Sequence, residues 1–159
     1  LGKRIKRGVS LLNGEYHIAA EVLLVTKEGY FLTTLRHPEK EIYPNKWEIT
    51  GGAILAGETS IQGGIRECFE ETRIIIAEQD LVLLTTTKDK DFFMDTYIAI
   101  KDFSLNDIKL QPLETVDAKL CTLEEFEQLI QNGLMGGQRL QMTMAKILQI
   151  LEEMEIDYK

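Results

Sequence analysis

This chain of 159 residues predicts an α/β fold, a mixed sheet sandwiched between helices. Three observations carry that expectation. Runs rich in apolar and β-branched residues recur at 16–26, 30–36, 81–88, 92–101 and 115–121. A segment at 59–72 sets Ile61, Ile65, Cys68 and Thr72 at helical spacing. The last stretch, from about Gln138, repeats Leu140, Met144, Ile147, Leu151 and Met154 with the same period. Strands interleaved with one-faced helices bury both faces of a sheet under helices, which gives an α/β/α sandwich.

Each element has a local cause. The first two strands, 16–26 and 30–36, flank Lys27-Glu28-Gly29, a turn signal. Pro38 and Pro44 mark a loop, and Trp47-Glu48-Ile49 reads as a short strand leading into Gly51-Gly52. Thr59 with Gln62 three residues on makes a capping box for the 59–72 helix. Residues 81–88 and 92–101 read as a strand pair. A further strand covers 115–121, and a helix begins near Leu123. The Met-containing stripe of the last helix reads as core packing. No linker, repeat or low-complexity stretch interrupts the chain, so residues 1–159 read as a single domain.

Composition bounds the function. Hydrophobic content of 44% and charged content of 28% are globular values. A net charge of −8 argues against a nucleic-acid backbone or an anionic membrane as partner. Two cysteines, Cys68 and Cys121, make a disulfide framework unexpected and fit a reducing, cytoplasmic compartment. No apolar run reaches membrane-spanning length and no signal peptide is visible. The chain starts at Leu1 rather than Met, which reads as a trimmed N-terminus. Oligomeric state is open, a homodimer included.

The chemistry concentrates at 51–74. Gly52, Glu58, Arg66-Glu67 and Glu70-Glu71 follow the spacing Gly-x5-Glu-x7-Arg-Glu-x2-Glu-Glu. Glu67, Glu70 and Glu71 stand at i, i+3 and i+4, so a helix puts them on one face. Crowded carboxylates repel one another, and a hard divalent cation relieves that repulsion. Glutamate-rich helix faces are common and most are only solvated surface. Six specified residues at fixed spacing, however, recur by chance roughly once in a million windows or less. The expectation is therefore one face that packs and another that presents charge to Mg2+, with Mn2+ as the alternative ion.

The segment resembles the Nudix box, the signature of hydrolases that cleave a diphosphate linked to another moiety. It matches every charged position of the pattern and departs at two others. Cys68 stands at the first aliphatic position, a mild change because a buried Cys acts as a small hydrophobe. Arg73 replaces the glycine that would end the helix in a left-handed conformation. The helix end is therefore expected to be altered, with the metal face intact.

The resemblance extends through 14–25, 34–52, 91–100 and 110–126 to a Nudix branch that shares its scaffold with type 1 isopentenyl-diphosphate isomerase. That isomerase needs a catalytic cysteine. Aligned on Trp47, the cysteine position holds Gly52 and a metal-histidine position holds Ile54. Neither residue moves a proton. His17 matches another metal histidine of the isomerase and Glu114 one of its acidic residues. The complete Arg-Glu-x2-Glu-Glu set, absent from the isomerase, points instead to hydrolysis. A third alternative is a non-catalytic, ligand-sensing Nudix-like domain, supported only by Arg73 and the helix glycines Gly63 and Gly64.

The resemblance assigns Glu67, Glu70 and Glu71 as metal ligands, with the Gly52 carbonyl as a further one. Glu58 and Arg66 are structural, and Arg66 reads equally as a surface ion pair. Glu114, just after Pro112, is the candidate general base, with Glu67 and Glu70 as the alternatives inside the box. Arg36 and Lys46, with Lys40, lie near the mouth and are candidate contacts for phosphate oxygens. Trp47 is read as core, with stacking as its alternative and Tyr43 beside it. His17 is read as a satisfied strand residue and His37 as a loop residue. The function implied is metal-dependent hydrolysis of a small-molecule diphosphate, a nucleoside diphosphate derivative or a related organic diphosphate.

Overall fold

The structure, a computed structural model, describes residues 11, 12, 14–135 and 139–158. Its strands are β1 (His17–Thr26), β2 (Phe31–Arg36), β3 (Trp47–Glu48), β4 (Thr50–Ala53), β5 (Leu81–Lys88), β6 (Phe92–Lys101) and β7 (Thr115–Cys121). The helices are α1 (Ser60–Thr72), α2 (Leu123–Gln131) and α3 (Arg139–Glu153). The expected start of the last helix at Gln138 lies outside the described residues.

The strands form one mixed sheet in the order β3-β2-β1-β6-β5, with β4 on β1 and β7 on β2. β1 and β6 run parallel from His17↔Phe92 to Thr26↔Lys101. β1 and β2 meet only at Val25↔Phe31 and then diverge. The Trp47–Ala53 segment fills that wedge. It pairs first with β2, at Leu35↔Trp47 and Thr34↔Glu48. It then pairs with β1, from Val22↔Thr50 to Ala19↔Ala53. Gly51 and Gly52 are thus part of a strand, where the sequence suggested that the strand only leads into them.

Alternation along β1 explains the two layers. Ala20, Val22 and Leu24 face a core that contains Cys68 of α1, with Leu32, Ile74 and Tyr97. Leu23 and Val25 face the other core, with Phe31, Phe126 of α2 and Leu140, Ile147 and Leu151 of α3. Period-two side chains on strands covered on both sides require this division. Glu21 is the exception on the α3 face. It is buried and accepts from Thr96 Oγ1 at 2.7 Å and Arg139 Nη2 at 3.2 Å, which pins α3 to the sheet. The predicted stripe of α3 holds for Leu140, Ile147 and Leu151, with Met144 partly buried. Met154 does not belong to it: it lies past the helix end and is 50% exposed.

Arg73 corrects the expectation of an altered helix end. It takes the left-handed conformation itself, with φ 66° and ψ 7°, and its N–H donates to Phe69 O. Its guanidinium lies 5.1 Å from the Phe69 ring centroid, a contact that offsets part of the strain. The C-cap geometry survives without the glycine. Among the described residues no helix is long and apolar enough to cross a membrane.

Candidate active site

The site starts from how closely α1 lies on the sheet. Thr59 caps the helix: its hydroxyl accepts from Gln62 N–H at 3.2 Å, and Gln62 Oε1 accepts from Thr59 N–H at 3.0 Å. The glycines that follow answer to packing. A β-carbon at Gly63 would run into the Ile54 side chain, and one at Gly64 would sit 3.3 Å from Val22 Cγ2. Their cost in helix propensity of about 1 kcal/mol each is accepted because the helix meets β1 and the loop after β4 at short range. No ligand is needed to explain them.

That approach brings the box carboxylates onto β4. A β-carbon on Gly52 would lie 2.5 and 2.7 Å from the two Glu67 carboxylate oxygens. Gly51 N–H donates to Glu71 Oε2 at 3.2 Å. The charged face is therefore not simply solvated. Glu71 is only 6% exposed, whereas the Glu70 side chain is 43% exposed. Cys68, one turn away, is buried, and burial pushes its thiol up to about 11, so it packs as a small apolar group.

Arg66 gathers the remaining box residues. Its Nε and Nη2 donate to Glu58 at 2.8 and 3.0 Å. Nη1 donates to Glu67 at 2.8 Å and Glu70 at 3.2 Å, and Nη2 also reaches the Ala53 carbonyl at 3.0 Å. Those bonds hold the Glu58 carboxyl below its ordinary range and push the Arg66 guanidinium further up. Among the described residues, no three carboxylate, imidazole or thiol groups form a ready-made metal cluster. Glu67 and Glu70 are turned onto Arg66 instead.

Electrostatics nevertheless link four carboxylates. Burial first, then the charge of Glu48, then those of Glu67 and Glu114, push the Glu71 carboxyl up to about 8 against the Gly51 N–H bond. Burial likewise pushes Glu48 up to about 7, against the pull of the Arg36 guanidinium. Glu114 is ion-paired with Lys40, and its carbonyl accepts from His37 N–H at 2.9 Å, which ties the 37–46 loop to the loop before β7.

Of the residues singled out from the sequence, Glu67, Glu71 and Gly52 come together, and Glu114 lies within electrostatic reach. Arg36 joins the group through Glu48. Lys46 does not: its Nζ donates to the Gly133 carbonyl at 2.5 Å, past the end of α2. Lys40 is the cation beside Glu114. Trp47 packs on the α3-side core with Lys119 Nζ 4.5 Å from its ring centroid, so it is not open for stacking. His37 is a loop residue whose Nδ1 accepts from Glu39 N–H, and His17 opens β1. Tyr43 is 59% exposed with φ 52°. Glu48 was missed. Its signal was available: Trp47 and Ile49 are core-type residues, so alternation puts Glu48 on the face that carries α1.

Metal-free protein is expected to lose stability as pH rises. The folded pKa of Glu71, about 8, lies above the ordinary carboxylate value, so the folded state binds the extra proton. Its favourable contribution is complete below about pH 4.3 and is lost as pH rises through 8, with Glu48 adding to the same limb. Melting in chelator should fall by about 5 °C or more between pH 5 and 8.5. A flat midpoint across that window contradicts the burial argument for Glu71.

Comparison with known proteins follows the same region. The NUDIX domain family model matches residues 15–137. A relative named as an uncharacterised Nudix hydrolase of Listeria monocytogenes is 35% identical over 133 residues, covering 83% of this chain and 79% of its own. Among solved structures, DR0079 of Deinococcus radiodurans superposes with a TM-score of 0.69 at 22% identity, covering 89% of each chain. A bifunctional NMN adenylyltransferase/ADP ribose pyrophosphatase of Francisella tularensis, complexed with AMP and a manganese ion, gives 0.64 at 20% identity. That match covers 87% of this chain and 41% of the other.

Proposed function

The chain belongs to the Nudix hydrolase family, and from that premise we propose that it hydrolyses the diphosphate linkage of a nucleoside diphosphate derivative or related organic diphosphate, using Mg2+. The observation that carries this is Glu71. A carboxyl buried to 6% exposure and repelled by Glu48, Glu67 and Glu114 is costly to ionise unless a cation stands beside it. The donor set is all oxygen, which suits a hard divalent ion. Glu67, Glu70 and Glu71, with the Gly52 carbonyl, would hold it. Mn2+ is the alternative, in keeping with the manganese in the Francisella structure.

A divalent cation bound there would neutralise diphosphate charge and polarise the phosphorus–oxygen bond. The protein's own groups supply the rest. Arg36, paired with Glu48, and Lys40, paired with Glu114, would meet phosphate oxygens. Water attacks phosphorus, a bond forms from the water oxygen, and the bridging phosphorus–oxygen bond breaks. The leaving phosphate takes the electron pair. The water proton passes to a carboxylate: Glu114 is our first choice as base, and Glu67 or Glu70 the next. Isomerase chemistry finds no support. Gly52 offers no thiol, and Cys68 and Cys121 are both buried in the cores.

A panel of diphosphate compounds with Mg2+, scored by release of phosphate or monophosphate, tests the reading. At least one compound should be cleaved, and exhaustive chelation should abolish cleavage. Activity that persists in chelator removes the metal from the mechanism.

A further inference from the structure

The Arg36–Glu48 pair stands outside the box, on the sheet face that carries α1. Arg36 Nη1 donates to both Glu48 oxygens, at 3.0 and 2.8 Å, and Nε donates to the Ile42 carbonyl at 3.0 Å. A guanidinium carries five N–H groups in a rigid fork. Nη2 has no hydrogen-bond partner among the described residues, so one edge of the fork is unspent. Glu48 shares a sheet face with its cross-strand partner Thr34, and Arg36 is paired with Thr115. The hydroxyls of Thr34 and Thr115 are both buried and both lack a partner among the described residues. Buried polar atoms without partners are rare and point to a ligand or solvent atom. Glu48 stands three residues before Gly51, whose N–H donates to Glu71 Oε2 at 3.2 Å, and on the sheet face that carries α1, which places the pair towards the box.

We propose that Glu48 is a positioning residue for diphosphate recognition: it holds the Arg36 guanidinium in one orientation on the face of the sheet that carries α1, so that the open Nη2 edge meets a non-bridging oxygen of the substrate. The inference rests on the diphosphate reading above. A carboxylate is the right anchor for this task. It fixes a long, flexible cation before the substrate arrives, which lowers the ordering cost of binding. It also leaves the edge of the fork away from the anchor for the phosphate. An ion pair that served only the fold would have no such consequence for affinity.

The test uses inorganic pyrophosphate, titrated calorimetrically into the full chain with chelator and again with Mg2+, beside steady-state kinetics on a substrate from the panel. Glu48→Gln should weaken pyrophosphate binding about tenfold and raise KM to match, with a much smaller change in kcat. Arg36→Met should do the same, and the double variant should be no weaker than Arg36→Met alone, because both changes remove one interaction. Glu48→Asp keeps the charge and should recover part of the affinity, and it answers the question if the Gln variant fails to fold. Parent-like pyrophosphate affinity in folded Glu48→Gln, losses that multiply in the double variant, or no pyrophosphate binding by the parent each overturn the proposal. A panel without a substrate refutes the hydrolase reading separately, while the pyrophosphate arm still decides the role of Glu48.

Discussion

Glu71→Gln should give a protein that melts higher without metal and turns over orders of magnitude more slowly with it. The amide keeps the shape of the side chain and its acceptor for Gly51 N–H, 3.2 Å away in the parent. It removes a carboxylate that burial and three neighbouring carboxylates push up to about 8. The metal-free fold is therefore relieved at neutral pH of a group that must take up a proton on folding, and above about pH 8 of a charge it accommodates poorly. The same charge is what a hard cation requires. Losing it should take several kcal/mol of stabilisation from the transition state, about 10²–10⁴ in turnover. Glu70→Gln should lose turnover similarly, yet its metal-free midpoint should hardly move, because that side chain is 43% exposed. Turnover within a few-fold of the parent strikes the residue from the ligand set. A lower metal-free midpoint for Glu71→Gln would contradict the account of its burial.

Neighbouring glycines should separate fold from function. Gly51→Ala places a methyl group 2.5 Å from the Ala20 carbonyl oxygen and 2.7 Å from Glu21 Cα, both backbone atoms of the central strand. Neither can step aside without disturbing the β1–β4 ladder, so that variant should lose about 2–4 kcal/mol or fail to fold. The nearest atoms that Gly52→Ala meets are those of the Glu67 carboxylate, the far end of a flexible side chain. The side chain can swing away at little cost, so the melting midpoint should stay within a few degrees of the parent. The carboxylate is then misplaced, and a displacement near 1 Å at a reacting centre costs about a hundredfold in rate. Thermal melting and kinetics on both variants check this. A Gly52→Ala protein as active as the parent shows that the position of Glu67 does not govern turnover.

These two experiments also divide what was legible in the sequence from what was not. The elements were legible because their causes are local. The Thr59–Gln62 capping box, the apolar runs of β1 and β6 and the helical stripe of Leu140, Ile147 and Leu151 each depend on residues a few positions apart. The box was legible for the same reason, since Glu58, Arg66, Glu67, Glu70 and Glu71 lie within one loop and one helix. The left-handed cap at Arg73 was misjudged. Its strain is compensated by Phe69, one turn back, and a side-chain contact of that kind is not a spacing rule.

Tertiary structure decided the electrostatics. Glu71 is part of a helical face in the sequence, but only the approach of α1 to β4 makes it a buried carboxyl, and that approach depends on Gly63 and Gly64 meeting Ile54 and Val22. Glu48 enters the site because β1 and β2 diverge and the Trp47–Ala53 segment fills the gap. The same wedge gives Arg36 its anchor, while Lys46 turns to the Gly133 carbonyl. By itself, then, the sequence determined the fold class, the family and the identity of the box carboxylates, because those follow from periodicity and spacing along the chain. Which carboxylates share one field, and which cations stand beside them, depends on distances between segments far apart in sequence, and only packing sets those distances.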